Sequence, residues 1–181
     1  MKKFLAILMV LILVSGALFA VDPVNALTIN TAVSASNSIK LSAAALTVGT
    51  WGAVGADSAL TLSFTSADSE TVPESQSGYV NLRTNKPSVS GYLIKISGAA
   101  LASTTEGVST KIGYTITGDS GLSATGTTPL SAATLFSITN SDGGMRVLPK
   151  QFTVALNSTD WLAATQDSAY TTTVTFELVT N

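Results

Sequence analysis

Eleven carboxylates are the main chemical resource of this 181-residue chain, because histidine and cysteine are both absent. No Cys/His zinc site can form. No Ser-His-Asp or Cys-His nucleophile can be assembled, and no disulfide is available. A glycosidase would need two carboxylates about 5 to 10 Å apart across a cleft. Asp57, Asp68, Glu70, Glu74 and Glu106 fall in loop-like stretches, but no spacing singles out a pair. The expectation is a protein that is not an enzyme and needs no cofactor. A calcium-type loop is the one metal site worth naming. Asn140 and Asp142, in Asn140-Ser141-Asp142-Gly143-Gly144, place two oxygen side chains one residue apart. The same stretch also reads as a hairpin turn in which Asp142-Gly143 supplies positive φ angles. Gly118-Asp119-Ser120-Gly121 has the same two readings. Trp51 and Trp161 are the candidate platforms for stacking a sugar, with Tyr79 and Tyr92 as helpers. Burial is the commoner fate of so scarce a residue.

These residues must be carried by strands. Period-two alternation recurs along the chain. Leu27, Ile29 and Val33 begin it, and Ile39 and Leu41 open a segment running to Val48. Leu60, Leu62 and Phe64 alternate with Thr61 and Ser63. Tyr92, Ile94 and Ile96 share a face, as do Ile112, Tyr114 and Ile116, and Phe152, Val154 and Leu156. The cleanest run is the last, where Tyr170, Thr172, Val174, Phe176 and Leu178 oppose Thr171, Thr173, Thr175 and Glu177. Tyr79 to Arg83 is short and mixed. Turn chemistry separates the runs at Pro73 to Gly78, Asn85-Lys86-Pro87, Gly118 to Gly121 and Ser141 to Gly144. From Leu27 onward there are 22 serines and 26 threonines, which suits the solvent faces of strands. Helical signals are confined to Ser42–Leu46 and Ser158–Thr165, the second capped by Ser158 or Thr159. Eight or nine short strands predict an all-β, antiparallel β-sandwich, immunoglobulin-like or jelly-roll in type, as one domain. An outer-membrane barrel would need lipid-facing stripes and aromatic girdles, for which the aromatic residues are too few.

The start of the chain reads as an export signal. Met1-Lys2-Lys3 is basic, and Phe4 to Val14 is an unbroken apolar run too short to cross a bilayer comfortably. Cleavage is expected after Ala20, giving a signal peptide at 1–20, or as late as Ala26. Residues 21–33 then form an N-terminal arm or first strand, and 34–181 the sandwich. Without Lys2 and Lys3, seven basic side chains face eleven acidic ones, a net charge of −4. The basic residues are scattered, which argues against nucleic acid. No later apolar run is long enough to be a transmembrane segment. The expected location is secreted, periplasmic or on the cell surface.

The stretch Ser168-Ala169-Tyr170-Thr171-Thr172-Thr173-Val174-Thr175-Phe176-Glu177-Leu178, preceded by the strand Lys150 to Leu156, resembles the closing strands of bacterial chaperone–usher pilin subunits. It also resembles the end of WxL-type surface β-sandwich domains. The resemblance covers about the last thirty residues. The chain lacks the pilins' cysteine pair, and Trp161-Leu162 lacks the spacer of the Trp-x-Leu motif. The pilin resemblance implies a fimbrial, polymerising subunit whose groove accepts a strand from its neighbour. Leu27, Ile29 and Val33 are then the strand-exchange arm. The expected role is that of a structural protein or adhesin of the bacterial envelope, with itself or other envelope subunits as partners. A carbohydrate-binding module, with a glycan as partner, is the alternative.

Overall fold

The computed structural model describes residues 36–55, 59–66, 70–165 and 169–180. The expected signal peptide and the arm, including Leu27, Ile29 and Val33, lie outside the described residues, as do Asp57 and Asp68. The compact unit that carries the sheets spans Ala35–Asn181.

Eleven strands are described: β1 (Asn37–Ser42), β2 (Gln76–Thr84), β3 (Ser88–Gly98), β4 (Leu101–Ser103), β5 (Lys111–Ile112), β6 (Tyr114–Thr117), β7 (Gly121–Ala124), β8 (Leu130–Asn140), β9 (Arg146–Leu156), β10 (Tyr170–Thr171) and β11 (Val174–Thr180). They form a five-stranded sheet of order β1-β2-β9-β6-β7, a three-stranded sheet β11-β3-β8, and a small sheet β10-β4-β5. Every ladder is antiparallel. This is the all-β, sandwich-like domain that the alternation predicts.

The core is built from inward faces, because alternate side chains of a strand leave it on opposite sides. The five-stranded sheet gives Val80, Leu82, Tyr114, Ile116, Phe152, Val154 and Leu156, and the three-stranded sheet gives Tyr92, Ile94, Ile96, Leu135, Phe136 and Ile138. Phe152 and Phe176 meet with ring centres 5.1 Å apart. Close backbone approach is needed where the aromatic rings pack. A Cβ on Gly78 would stand 2.8 Å from Phe152 Cζ and would also collide with Leu60 Cδ2. Pro149 sits in β9 beside Asn81 of β2, beyond the stretch Thr153–Leu156 that β6 flanks, so its missing N–H disrupts no second ladder.

β2 is longer and more buried than its mixed sequence suggests. Val80, Asn81 and Leu82 are all fully buried. The reason is that both faces are covered: the inner by the core, the outer by the loop after β1. Asn81 answers that burial with hydrogen bonds. Its Oδ1 accepts from the Leu46 N–H at 2.8 Å, and its Nδ2 donates to Ser42 Oγ at 2.8 Å and the Lys40 carbonyl at 3.2 Å.

At one end, a polar cluster ties the two main sheets together. The carbonyl of Lys86, in the β2–β3 turn, accepts from the Tyr92 hydroxyl at 2.7 Å and from Asn140 Nδ2 at 3.2 Å. The Thr84 hydroxyl donates to Asn37 Oδ1 at 2.7 Å. Strands β1, β2, β3 and β8 thus converge on one turn.

Three expectations are corrected. Leu60–Phe64 keeps its alternation but belongs to no strand among the described residues. Ser42–Leu46 forms no helical turn: Ser42 ends β1 and 43–46 are irregular, and the helical turn lies later, at Trp51–Ala53. The second helical signal does fold, as α1 (Ser158–Leu162), but Asn157 caps it, its side chain accepting from the Asp160 N–H.

Candidate functional site

Strands β1 and β11 are the outermost members of their sheets among the described residues, each paired on one side only. Among the described residues no strand joins these two edges. A cavity of about 260 Å³ runs along the seam, bounded by Leu41 of β1, Val174 and Phe176 of β11, and Ile116, Phe152 and Val154 from the sheet behind. Leu60, Leu62 and Phe64 also line it and pack against the core. Their backbone joins no ladder. Alternation is what an extended segment needs to lay one face on a core. Pairing needs in addition a neighbouring strand in register, and neither edge supplies it.

One polar group stands out in this seam. Tyr114 lines the cavity and is only 2% exposed, yet its hydroxyl has no hydrogen-bond partner among the described residues. Burial raises its pKa above the ordinary 10.0, since the charged phenolate would be poorly solvated there. Gly98 makes room for it: a Cβ at that position would lie 2.7 Å from the hydroxyl oxygen. In sequence, Tyr114 reads only as one inward residue of an alternating strand. Nothing in that pattern signals an unpaired hydroxyl.

Elsewhere the structure separates the residues singled out by their chemistry. Trp51 is 7% exposed and lies on the outer face of the five-stranded sheet. Lys40 Nζ sits 4.7 Å from its ring centre and Arg83 Cζ 5.7 Å. Lys40 also donates to the Trp51 carbonyl at 3.0 Å and to the Val54 carbonyl. This is a clamp closing a loop, with no open ring face for a sugar. Trp161 is half-buried against the core, and its indole N–H donates to the Thr71 carbonyl at 3.1 Å. Tyr92 is buried in the polar cluster.

Asn140 and Asp142 do not converge. The Asn140 side chain turns inward to the Lys86 carbonyl, whereas Asp142 is exposed and pairs with Arg146 at 2.7 Å. The stretch is the β8–β9 turn, with Gly144 at φ +93°. Asp119, in the β6–β7 turn, accepts from the Ser137 N–H at 3.2 Å and approaches Lys150 at 3.4 Å, tying that turn to β8 and β9. Asp160 accepts from the Gly113 N–H at 2.8 Å and anchors α1. Glu74 and Glu106 are exposed. Among the described residues no group of three or more His, Cys, Asp or Glu is placed to hold a metal ion. No helix among them is long and apolar enough to cross a membrane.

Comparison with known proteins returns no matching family, no matching curated relative and no matching solved structure.

Proposed function

We propose that this chain is an exported, non-catalytic protein of the bacterial envelope, structural or adhesive, that assembles by strand exchange between copies. The observation that carries this reading is the seam between β1 and β11, an apolar trough flanked by the outermost strands among the described residues and lined by a segment, Leu60–Phe64, that pairs with neither. An extended segment entering it gains main-chain hydrogen bonds from an edge and burial for alternate side chains. The arm has the right form. In an extended strand Leu27, Ile29, Thr31 and Val33 would share one face, and seven residues of strand span about 23 Å. β11 is also seven residues long. An entering arm would displace Leu60–Phe64, which holds its place by side-chain contact without a ladder.

The glycan-binding reading is left with Trp161 alone, because Trp51 is enclosed by its own loop and two cations. The deciding experiment is light scattering of the chain from Val21 onward, beside Ile29→Asp and a deletion through Val33. Large assemblies for the parent and folded monomers for both variants are the expected result. A folded monomer for the parent at high concentration, or assemblies that survive Ile29→Asp, would overturn strand exchange.

A further inference from the structure

We propose that Glu177 keeps the edge of β11 from pairing with β11 of a second copy, so that the edge accepts only a strand bringing no second negative charge to that point. The inference concerns the strand edge, not the cavity beside it, and it holds whether or not copies exchange arms. An edge strand offers unpaired N–H and C=O groups to any other chain, and proteins blunt such edges with bulges, prolines or charges. The two outer strands of the sheet β11-β3-β8 are treated differently. β8 pairs with β3 through three register shifts, and Ala132 takes φ +39° within it, so its backbone is too uneven to accept a long strand. β11 pairs with β3 in unbroken register over seven residues, from Val174 opposite Gly98 to Thr180 opposite Tyr92. Apart from Glu177 it consists of Val, Thr, Phe and Leu, without proline, and Glu177 is its only charge.

The position of that charge is what makes it effective. Glu177 is exposed and is the middle residue of the seven. Antiparallel pairing of two β11 strands over their full length, with core-side residues kept on one face, sets Glu177 directly opposite Glu177 of the second copy. Phe176 then faces Leu178, and Val174 faces Thr180. Sliding the strands by two residues separates the carboxylates but gives up two of the seven pairs. Like charges directly opposite destabilise a ladder. Lys95 of β3 is the ladder partner of Glu177, on the side away from an incoming strand, so it does not come between the two carboxylates. The ion pairs among the described residues lie elsewhere, at Arg146 with Asp142 and Lys150 with Asp119.

The test changes the sign of the charge. The parent, Glu177→Thr and Glu177→Lys are compared by sedimentation, alone and mixed, in the chain from Val21 onward and again with Ile29→Asp added. Each variant is judged against its own background, so a failure of strand exchange leaves the comparison intact. Glu177→Thr should self-associate about tenfold more tightly than the parent, from loss of the facing charges and the better strand propensity of threonine. Glu177→Lys alone should stay as dissociated as the parent. An equimolar mixture of Glu177→Lys with the parent should form a one-to-one dimer, because opposite charges then face each other. In isotope-labelled chains the amide signals of 174–180 should move in both associating samples, while those of β7 and β8 stay in place. The proposal is overturned if Glu177→Thr self-associates no more than the parent, or if the mixture associates no more than its components. It is also overturned if Glu177→Lys alone associates as Glu177→Thr does, or if the shifted signals lie outside β11.

Discussion

Single side chains here spend their chemistry on structure. Trp51 shows it most directly: its indole fills the outer face of the five-stranded sheet, with Lys40 and Arg83 over the ring. Trp51→Ala should cost about 3 to 5 kcal/mol, the usual loss for a buried aromatic, in urea denaturation, and leave any glycan response untouched. Tyr114 should behave in the opposite way. Removing an unpaired buried hydroxyl is close to neutral, so Tyr114→Phe should shift stability by at most about 1 kcal/mol at pH 7. Its signature lies in alkali. The folded chain holds the phenol proton more tightly than the unfolded chain does. The stability linked to that proton is complete below pH 10 and is lost as pH climbs through the raised value. Urea midpoints across that range should fall less steeply for Tyr114→Phe than for the parent; identical slopes would mean that the phenol is not buried in solution. The choice between buried and open tryptophan was visible in sequence only as a choice. The residues that decide it, Lys40 and Arg83, are distant in the chain and carry no pattern pointing to Trp51.

At the level of elements, legibility follows regularity. The Tyr92, Ile94 and Ile96 face of β3 is read correctly because each residue is inward and each outward neighbour meets solvent or partner strands. β8 hides its nature. Register shifts against β3 and the positive φ of Ala132 break its alternation, so Leu135 and Phe136 are buried side by side. β2 hides for another reason, being covered on both faces. Leu60–Phe64 teaches the converse: period two reports a face laid on a core and says nothing about a partner strand. Gly78 links these elements. Gly78→Ala would force its methyl against Phe152 and Leu60, and overpacking of this kind costs about 1 to 3 kcal/mol. Denaturant titration should record that loss, and the Leu60 methyl signals should move with it. A neutral substitution with unmoved Leu60 would place that side chain elsewhere.

For the whole molecule, the sandwich class was legible because it depends on counts of strands and turns, whereas strand order was not. Antiparallel neighbours here are often distant in sequence, as in β2 with β9 and β3 with β11, and pairing is fixed by shape. If copies assemble by strand exchange, the β2–β3 turn has a mechanical meaning in the fibre. Tension entering through one subunit's own arm reaches β1, crosses its six-residue ladder into β2, rounds the turn at Lys86 and leaves through β3 into the seven-residue ladder with β11. Asn37 of β1 pairs with Thr84 of β2, so the load enters and leaves the β1–β2 ladder at the same end and would open its hydrogen bonds one by one from there. The cluster of Tyr92, Asn140 and Thr84 around Lys86 sits at that end, with the Thr84 hydroxyl bonded to Asn37, where it would serve as a rivet.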